Sequence, residues 1–256
     1  DGFSYKAWAR VGDVYFGTDA FNVNETGQVT TASGALRDKS FVLAADVTDA
    51  DLVVISVEGK RGGGNAPSES VVLAADVTGD TMTLSASHPA ALGASFSASS
   101  GQFTIMTPSD TDPTNETHGV WFVAGSGDNL SAGLSLPALP SGWVYEGWVE
   151  TADNGRFSTG TFTANSGQDS SFFYSNPDVP PFPGEDFLFN APAGVVFPLV
   201  LSGHTVTITA EPFPDDTIAP YGITVLQGSI PSGVQGGSVH ALTGTSIVPS
   251  ATLTIF

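Results

Sequence analysis

Residues 52–58, Leu52-Val53-Val54-Ile55-Ser56-Val57-Glu58, are a run of β-branched and apolar side chains without a 3.6-residue period. Such a run suits a pleated, well-buried strand rather than a helix. Its second half, Ile55-Ser56-Val57-Glu58, returns as Ile208-Thr209-Ala210-Glu211. The repetition extends outward in both directions. Upstream, Tyr5-Lys6-Ala7-Trp8 is matched by Tyr145-Glu146-Gly147-Trp148, and Phe16 and Phe21 by Phe157 and Phe162 at the same separation. Downstream, Ala66-Pro67 followed by Val72-Leu73 is matched by Ala219-Pro220 followed by Val225-Leu226. The offset grows from 140 residues to 153, so the second copy carries an insertion.

Other strand-like runs surround these: Thr81-Met82-Thr83-Leu84, Phe103-Thr104-Ile105-Met106, Val206-Thr207-Ile208-Thr209 and Thr252-Leu253-Thr254-Ile255-Phe256. Turn signals such as Asp153-Asn154-Gly155 separate them. No stretch of ten or more residues reads as a helix. The expected fold is all-β, with two related β-sandwich (Ig-like) domains in tandem. Their expected bounds are 1–108 and 142–256, with a linker at 109–141 and an aromatic, Pro-rich insertion at about 165–195 in the second. Tyr and Trp three apart fall on opposite faces of a strand, so one ring enters the core and the other covers something else. Gly160 beside Phe162 suits a bulge or a close strand approach. The shorter echo of 42–48 in 72–78 reads as two similar strand-to-turn elements.

The repeated pattern resembles the C-terminal extracytoplasmic domain of the anti-sigma-K factor family. Tyr145-Glu146-Gly147-Trp148, Ser158-Thr159-Gly160-Thr161-Phe162 and Ile208-Thr209-Ala210-Glu211-Pro212 carry the likeness, with Tyr5-Lys6-Ala7-Trp8 and Val57-Glu58-Gly59-Lys60-Arg61-Gly62-Gly63 in the first copy. The family's sigma-binding helical domain and membrane helix are missing from this sequence, so sigma-factor regulation does not carry over. The resemblance implies a β-sandwich-like domain placed outside the cytoplasm.

Composition narrows the function classes. Lys and Arg total 7 against 26 Asp and Glu in 256 residues, a net charge of −19. A nucleic-acid binder needs a basic face, so no nucleic-acid partner is expected. An anionic membrane surface is disfavoured for the same reason, and no apolar run approaches the ~18 residues of a membrane span. The absence of Cys removes disulfides, thiol catalysis and Cys-ligated metals. The sequence opens at Asp1 without an apolar leader, so the chain is expected to be either cytoplasmic or already processed, and the composition favours an exported, mature chain. Six of the seven cations, Lys6, Arg10, Arg37, Lys39, Lys60 and Arg61, lie in the first 61 residues, which net −3, while the rest nets −16. That polarity suits head-to-tail contact between subunits.

Candidate sites are few. His88, His118, His204 and His240 have no metal-ligand spacing, no Gly-x-Ser-x-Gly elbow occurs, and Gly62-Gly63-Gly64 lacks the context of a phosphate loop. Asp46, Asp49 and Asp51 share one turn and are the candidate calcium ligands, calcium being the one cofactor the sequence admits. Glu146 with Glu150, or Glu185 with Asp186, are the acid pairs a glycoside hydrolase would need. Asn24, Asn115 and Asn129 open glycosylation sequons. Residues expected at subunit contacts are Phe3, Tyr5, Lys6, Arg10, Phe172, Phe173, Leu253, Ile255 and Phe256. The strand Thr252–Phe256 would be a sticky edge if unpaired. It has two expected fates: to close the second domain's own sheet, or to enter a neighbouring subunit. The expected function is that of a secreted, non-enzymatic structural protein at the cell surface, forming a filament or surface layer with itself as partner. The alternative is a monomeric glycan- or ligand-binding module that uses the aromatic insertion.

Overall fold

The computed structural model describes residues 3–31, 33–43, 45–59, 64–93, 95–125, 127, 129–153, 155–214, 217–245 and 248–256. Lys60, Arg61, Gly62, Gly63 and Asn154 lie outside the described residues. Every regular element described is a strand. The first part of the chain gives β1 (Ser4–Val11), β2 (Val14–Gly17), the short pair β3 (Asn22–Val23) and β4 (Val29–Thr30), then β5 (Leu52–Glu58), β6 (Val71–Asp76), β7 (Thr81–Ser85) and β8 (Ser100–Ile105). The middle gives β9 (Gly119–Trp121), β10 (Val123–Ala124), β11 (Ser131–Ala132) and β12 (Leu134–Ser135). The remainder gives β13 (Trp143–Glu150), β14 (Arg156–Phe162), β15 (Gly184–Asp186), β16 (Thr205–Pro212), β17 (Thr224–Ser229), β18 (Val239–Gly244) and β19 (Ser250–Thr254).

The strands form two large antiparallel sheets. One runs β2-β1-β5-β6-β7-β19. The other runs β14-β13-β16-β17-β18-β8-β9-β15, with β12 also on β8. Over their first six members the two orders correspond position by position, with one twist. Each sheet takes its sixth strand from the other part of the chain: β8 pairs with β18, and β19 pairs with β7. The strand at 252–256 therefore neither closes its own half's sheet nor leaves the molecule. It completes the first sheet, with Thr252 opposite Thr83 and Leu253 opposite Met82.

The likeness extends to irregularities. In the first sheet the β5–β6 register slips between Ile55 and Ser56, and in the second the β16–β17 register slips between Ile208 and Thr209. These are matched positions of the repeated sequence. At each slip a tryptophan hydrogen-bonds a hydroxyl, which in turn bonds a buried carboxylate. The Trp8 indole donates to Ser56 Oγ at 2.8 Å, and Ser56 donates to Glu58 at 2.6 Å. The Trp148 indole donates to Thr209 Oγ1 at 3.0 Å, and Thr209 donates to Glu211. The backbone amide of the residue after Ala-Pro closes each chain: Ser68 N–H on Glu58, Tyr221 N–H on Glu211. Removing one hydroxyl strands an indole N–H among buried atoms, where an unmade bond costs ~1–3 kcal/mol. A double-mutant cycle of Trp8→Phe and Ser56→Ala is expected to give a coupling energy of ~0.5–3 kcal/mol in chemical denaturation.

Tyr5 and Trp8 point to opposite faces, as their spacing requires. Trp8 packs with Leu52, Val54, Ala74 and Ala91, whereas Tyr5 meets the main core. That core is continuous through both sheets, from Val53, Leu73 and Leu84 to Phe103, Tyr145, Ile208 and Leu226. Stretch 109–141, expected as a linker, supplies β9 to the larger sheet and buries Val120, Trp121, Phe122 and Val123. β14 and β15, the two ends of that sheet, lie against each other, so it curls nearly into a barrel. The β13–β14 ladder carries the expected bulge: Gly147 faces Gly160 and Trp148 faces Ser158, leaving Thr159 over. Gly160 has φ +107° and no room for a side chain, because a Cβ would stand 2.8 Å from the Asp169 carboxylate.

Candidate functional site

Among the described residues, three regions carry candidate chemistry: the β7–β19 ladder, the aromatic loop between β14 and β16, and a buried acid cluster where the larger sheet nearly closes.

The ladder is an outer edge. β19 touches the sheet through β7 alone, and its side chains alternate between exposed and half-buried. Ala251, Leu253 and Ile255 pack against the core, Thr81 and Thr254 share a hydroxyl hydrogen bond of 3.0 Å, and Phe256 is fully exposed. A shallow polar groove beside it is lined by Asp76, Thr81, Thr83, Ser87 and His88.

The aromatic loop is divided in role. Tyr174 and Phe197 pack with Phe157 and Phe187 into a cluster of edge-to-face and tilted rings with centroids 5.2–6.5 Å apart. That half of the insertion is core. Phe172, Phe173 and Phe189 remain exposed at 44%, 60% and 47%, and Asn190 holds the Phe173 carbonyl.

The acid cluster is built by β9, β15 and the loop between β14 and β15. Asp169 accepts hydrogen bonds from the Gly184 and Ser171 amides, and burial pushes its carboxyl up to about 7. Glu185 accepts from the Ser175 hydroxyl, while its Oε2 is buried with no hydrogen-bond partner. Burial first, then the neighbouring Asp169 and Asp186 charges, raise its carboxyl to about 8 against the bonds from Ser175 and the Tyr174 backbone. Asp186 accepts from the Trp121 indole at 2.7 Å and the Ser109 amide at 2.8 Å, and burial still pushes it up to about 6. The physical cause is common to all three: desolvation favours the neutral acid, and the donors described are neutral. Sequence reading reached Glu185 and Asp186 as a guessed pair, but not Asp169 or Trp121. The signal available was local: two acids set just before Phe187-Leu188-Phe189.

Neither acid pair offered for glycoside hydrolysis has the needed geometry. Glu146 and Glu150 lie four residues apart on one strand, ~13 Å at a rise of ~3.3 Å per residue, beyond the ~6.5–9.5 Å of an inverting pair. Glu185 and Asp186 are fully buried, out of reach of a sugar.

Two of the three candidate calcium ligands have other partners. Asp46 accepts from the Thr48 amide and hydroxyl at 3.0 and 2.7 Å, and Asp51 takes a two-pronged ion pair from Arg10 at 2.9 and 2.8 Å. Asp49 is exposed in the same turn. Among the described residues no three acids or histidines form a group that could hold a metal. The expected contact residues of β1 also have partners within the chain. Lys6 sits 4.2 Å over the Trp8 ring, Phe3 meets Tyr221 edge-on, and the Tyr5 and Tyr221 hydroxyls bond at 3.0 Å. Phe3 and Tyr5 thus help join the first part of the chain to the second. Of the sequons, Asn24 and Asn129 are exposed, whereas the Asn115 amide donates to Asp110 at 2.6 Å. No helix among the described residues is long and apolar enough to cross a membrane.

Comparison with family models, with curated proteins and with solved structures found no match to this chain.

Proposed function

We propose that this protein is a non-enzymatic structural subunit that works outside the cell, built from two copies of one β-domain and assembling head-to-tail with further copies of itself. The observation that carries the reading is the reciprocal crossing of β8 and β19. Each half is completed by a strand from the other, as in a strand-exchanged dimer fused into one chain, and strand exchange is a low-cost route to self-association. The matched register slips and Trp–hydroxyl–carboxylate chains support the duplication. The uneven charge supports head-to-tail contact: six of the seven cations lie in the first 61 residues, while the rest of the chain nets −16. The likeness to the extracytoplasmic anti-sigma-K domain, carried by β1, β13, β14 and β16, and a disulfide-free, acidic, Gly-rich composition support an external location.

Negative-stain microscopy and size-exclusion chromatography of the full chain test this. Linear or two-dimensional arrays of a regular repeat are expected. A monodisperse monomer at every concentration and pH tried would overturn the reading.

The exposed trio Phe172, Phe173 and Phe189 favours a second reading, a glycan- or ligand-binding module, since aromatic faces stack on sugars. Replacing Phe172 and Phe173 by Ser would then abolish retention of a folded, monomeric chain on polysaccharide.

A further inference from the structure

We propose that the joint between subunits is β19 itself: in the assembled state residues 250–256 of one copy leave their own β7 and form the same ladder on β7 of the next. The proposal rests on the self-assembly reading above and names its contact. The partner is a second copy of this chain, because the structure already shows what fits the β7 edge and in which register. Five residue pairs, Ser250–Ser85 to Thr254–Thr81, place Ala251 and Leu253 inward and the threonines outward. An identical strand from another copy reproduces every one of those contacts.

The two crossing strands differ in how firmly they are held. β8 lies between β18 and β9, also carries β12, and fully buries Phe103, Thr104 and Ile105. β19 has a single neighbour and no residue in the fully buried class. Detaching β19 breaks one ladder and moves half-buried Ala251, Leu253 and Ile255 away from Met82 and Leu84 of β7; detaching β8 would split the larger sheet. An exchange that moves one strand therefore moves β19, and it closes head-to-tail: each copy gives one strand and receives one. Interfaces of this kind draw affinity from main-chain hydrogen bonds and register from alternate side chains.

The chain has no cysteine, so a designed pair reports cleanly. Ile255 N–H donates to Asp80 O at 2.8 Å, which makes 255/80 a hydrogen-bonded pair. The positions 254/81 and 252/83 then fall at the non-hydrogen-bonded sites, where side chains approach most closely. Thr83 and Thr252 are exposed, so Thr83→Cys with Thr252→Cys leaves the core alone. Thr81→Cys with Thr254→Cys repeats the test if the first variant folds poorly. Subunits are assembled under reducing conditions, then oxidised and run on a non-reducing denaturing gel. The expected result is a ladder of dimers, trimers and longer species that collapses on reduction. Oxidation before assembly should fasten β19 to its own β7 and reduce polymer yield at least tenfold. Polymers whose oxidised chains run as internally bridged monomers would overturn strand exchange and leave the self-assembly reading standing. Chains that form no bridge in either state would overturn the β7–β19 pairing in the polymer. Failure of the unmodified chain to assemble would overturn the self-assembly reading and the exchange with it.

Discussion

The thermal unfolding midpoint is expected to be highest near pH 4–5 and to fall steadily up to about pH 8, the values that bracket ordinary carboxyls and the raised pKa of Glu185. Asp169, Glu185 and Asp186 bind protons more tightly when folded, at about 7, about 8 and about 6. In the unfolded chain they titrate near 4. Between those limits the folded state holds more protons, so stability is fully present below about pH 4 and drains away as pH rises through the folded values. A tenfold difference in proton affinity corresponds to ~1.4 kcal/mol, so three such groups together are expected to cost several kcal/mol by pH 8. Self-repulsion of a chain with net charge −19 acts in the same direction. On the acid side the trend reverses. Asp46, Asp51, Asp112 and Asp153 are exposed carboxylates held below the usual range, Asp51 by Arg10 and the others chiefly by threonine donors. Their contribution is lost below about pH 4. Calorimetry or circular dichroism melts from pH 3 to 9 give the profile, and Asp169→Asn with Glu185→Gln should flatten its alkaline limb. A midpoint that rises between pH 5 and 8 would contradict the burial of these acids. The seam they occupy, between β14 and β15, is the place where alkaline opening should begin, visible as early loss of amide protection at 160–186.

Trp121→Ala is expected to lower stability by ~3–5 kcal/mol, the range for deleting a large buried aromatic. For a chain of this size that corresponds to a drop in midpoint of about 6–20 °C. Trp121 is fully enclosed between β8 and β15, and a Cβ at Gly184 would lie 2.7 Å from its ring. Its indole N–H is also one of the donors that hold Asp186 ionisable. Trp121→Phe keeps most of the ring volume but removes that donor. It should cost less at pH 4, where Asp186 is protonated, and progressively more above pH 6, where an ionised Asp186 would have lost a donor. A Phe variant with the same deficit at both pH values would show that the bond to Asp186 is energetically idle.

Much of the fold was legible because it is local. The β-branched run at 52–58 and the bulge at Gly160 both follow from side-chain shape and backbone freedom within a few residues. The opposed faces of Tyr5 and Trp8 follow from the two-residue period of a strand. Stretch 109–141 was less legible: its Asp, Thr, Asn and Pro content reads as a linker, but Val120 and Trp121 of β9, Phe122 just after it and Val123 of β10 are buried in the core. The buried acids were less legible still. Glu185 and Asp186 look like surface charges until Phe187, Trp121 and the barrel seam close around them, and Asp169 carries no sequence mark beyond standing near Gly160 in space.

The sequence by itself determined that the chain is all-β, that short stretches of it recur, and that its charge is unevenly divided. Those properties are set by residue type and order, and they hold whatever the strands pair with. Only the tertiary structure decided which strand completes which sheet. Phe103-Thr104-Ile105 and Thr252-Leu253-Thr254-Ile255 present the same alternating apolar pattern, so either could serve the β7 edge or the β18 edge. Ladder hydrogen bonds come from the backbone and are nearly blind to side-chain identity. The selection is therefore made by the single core that both sheets share.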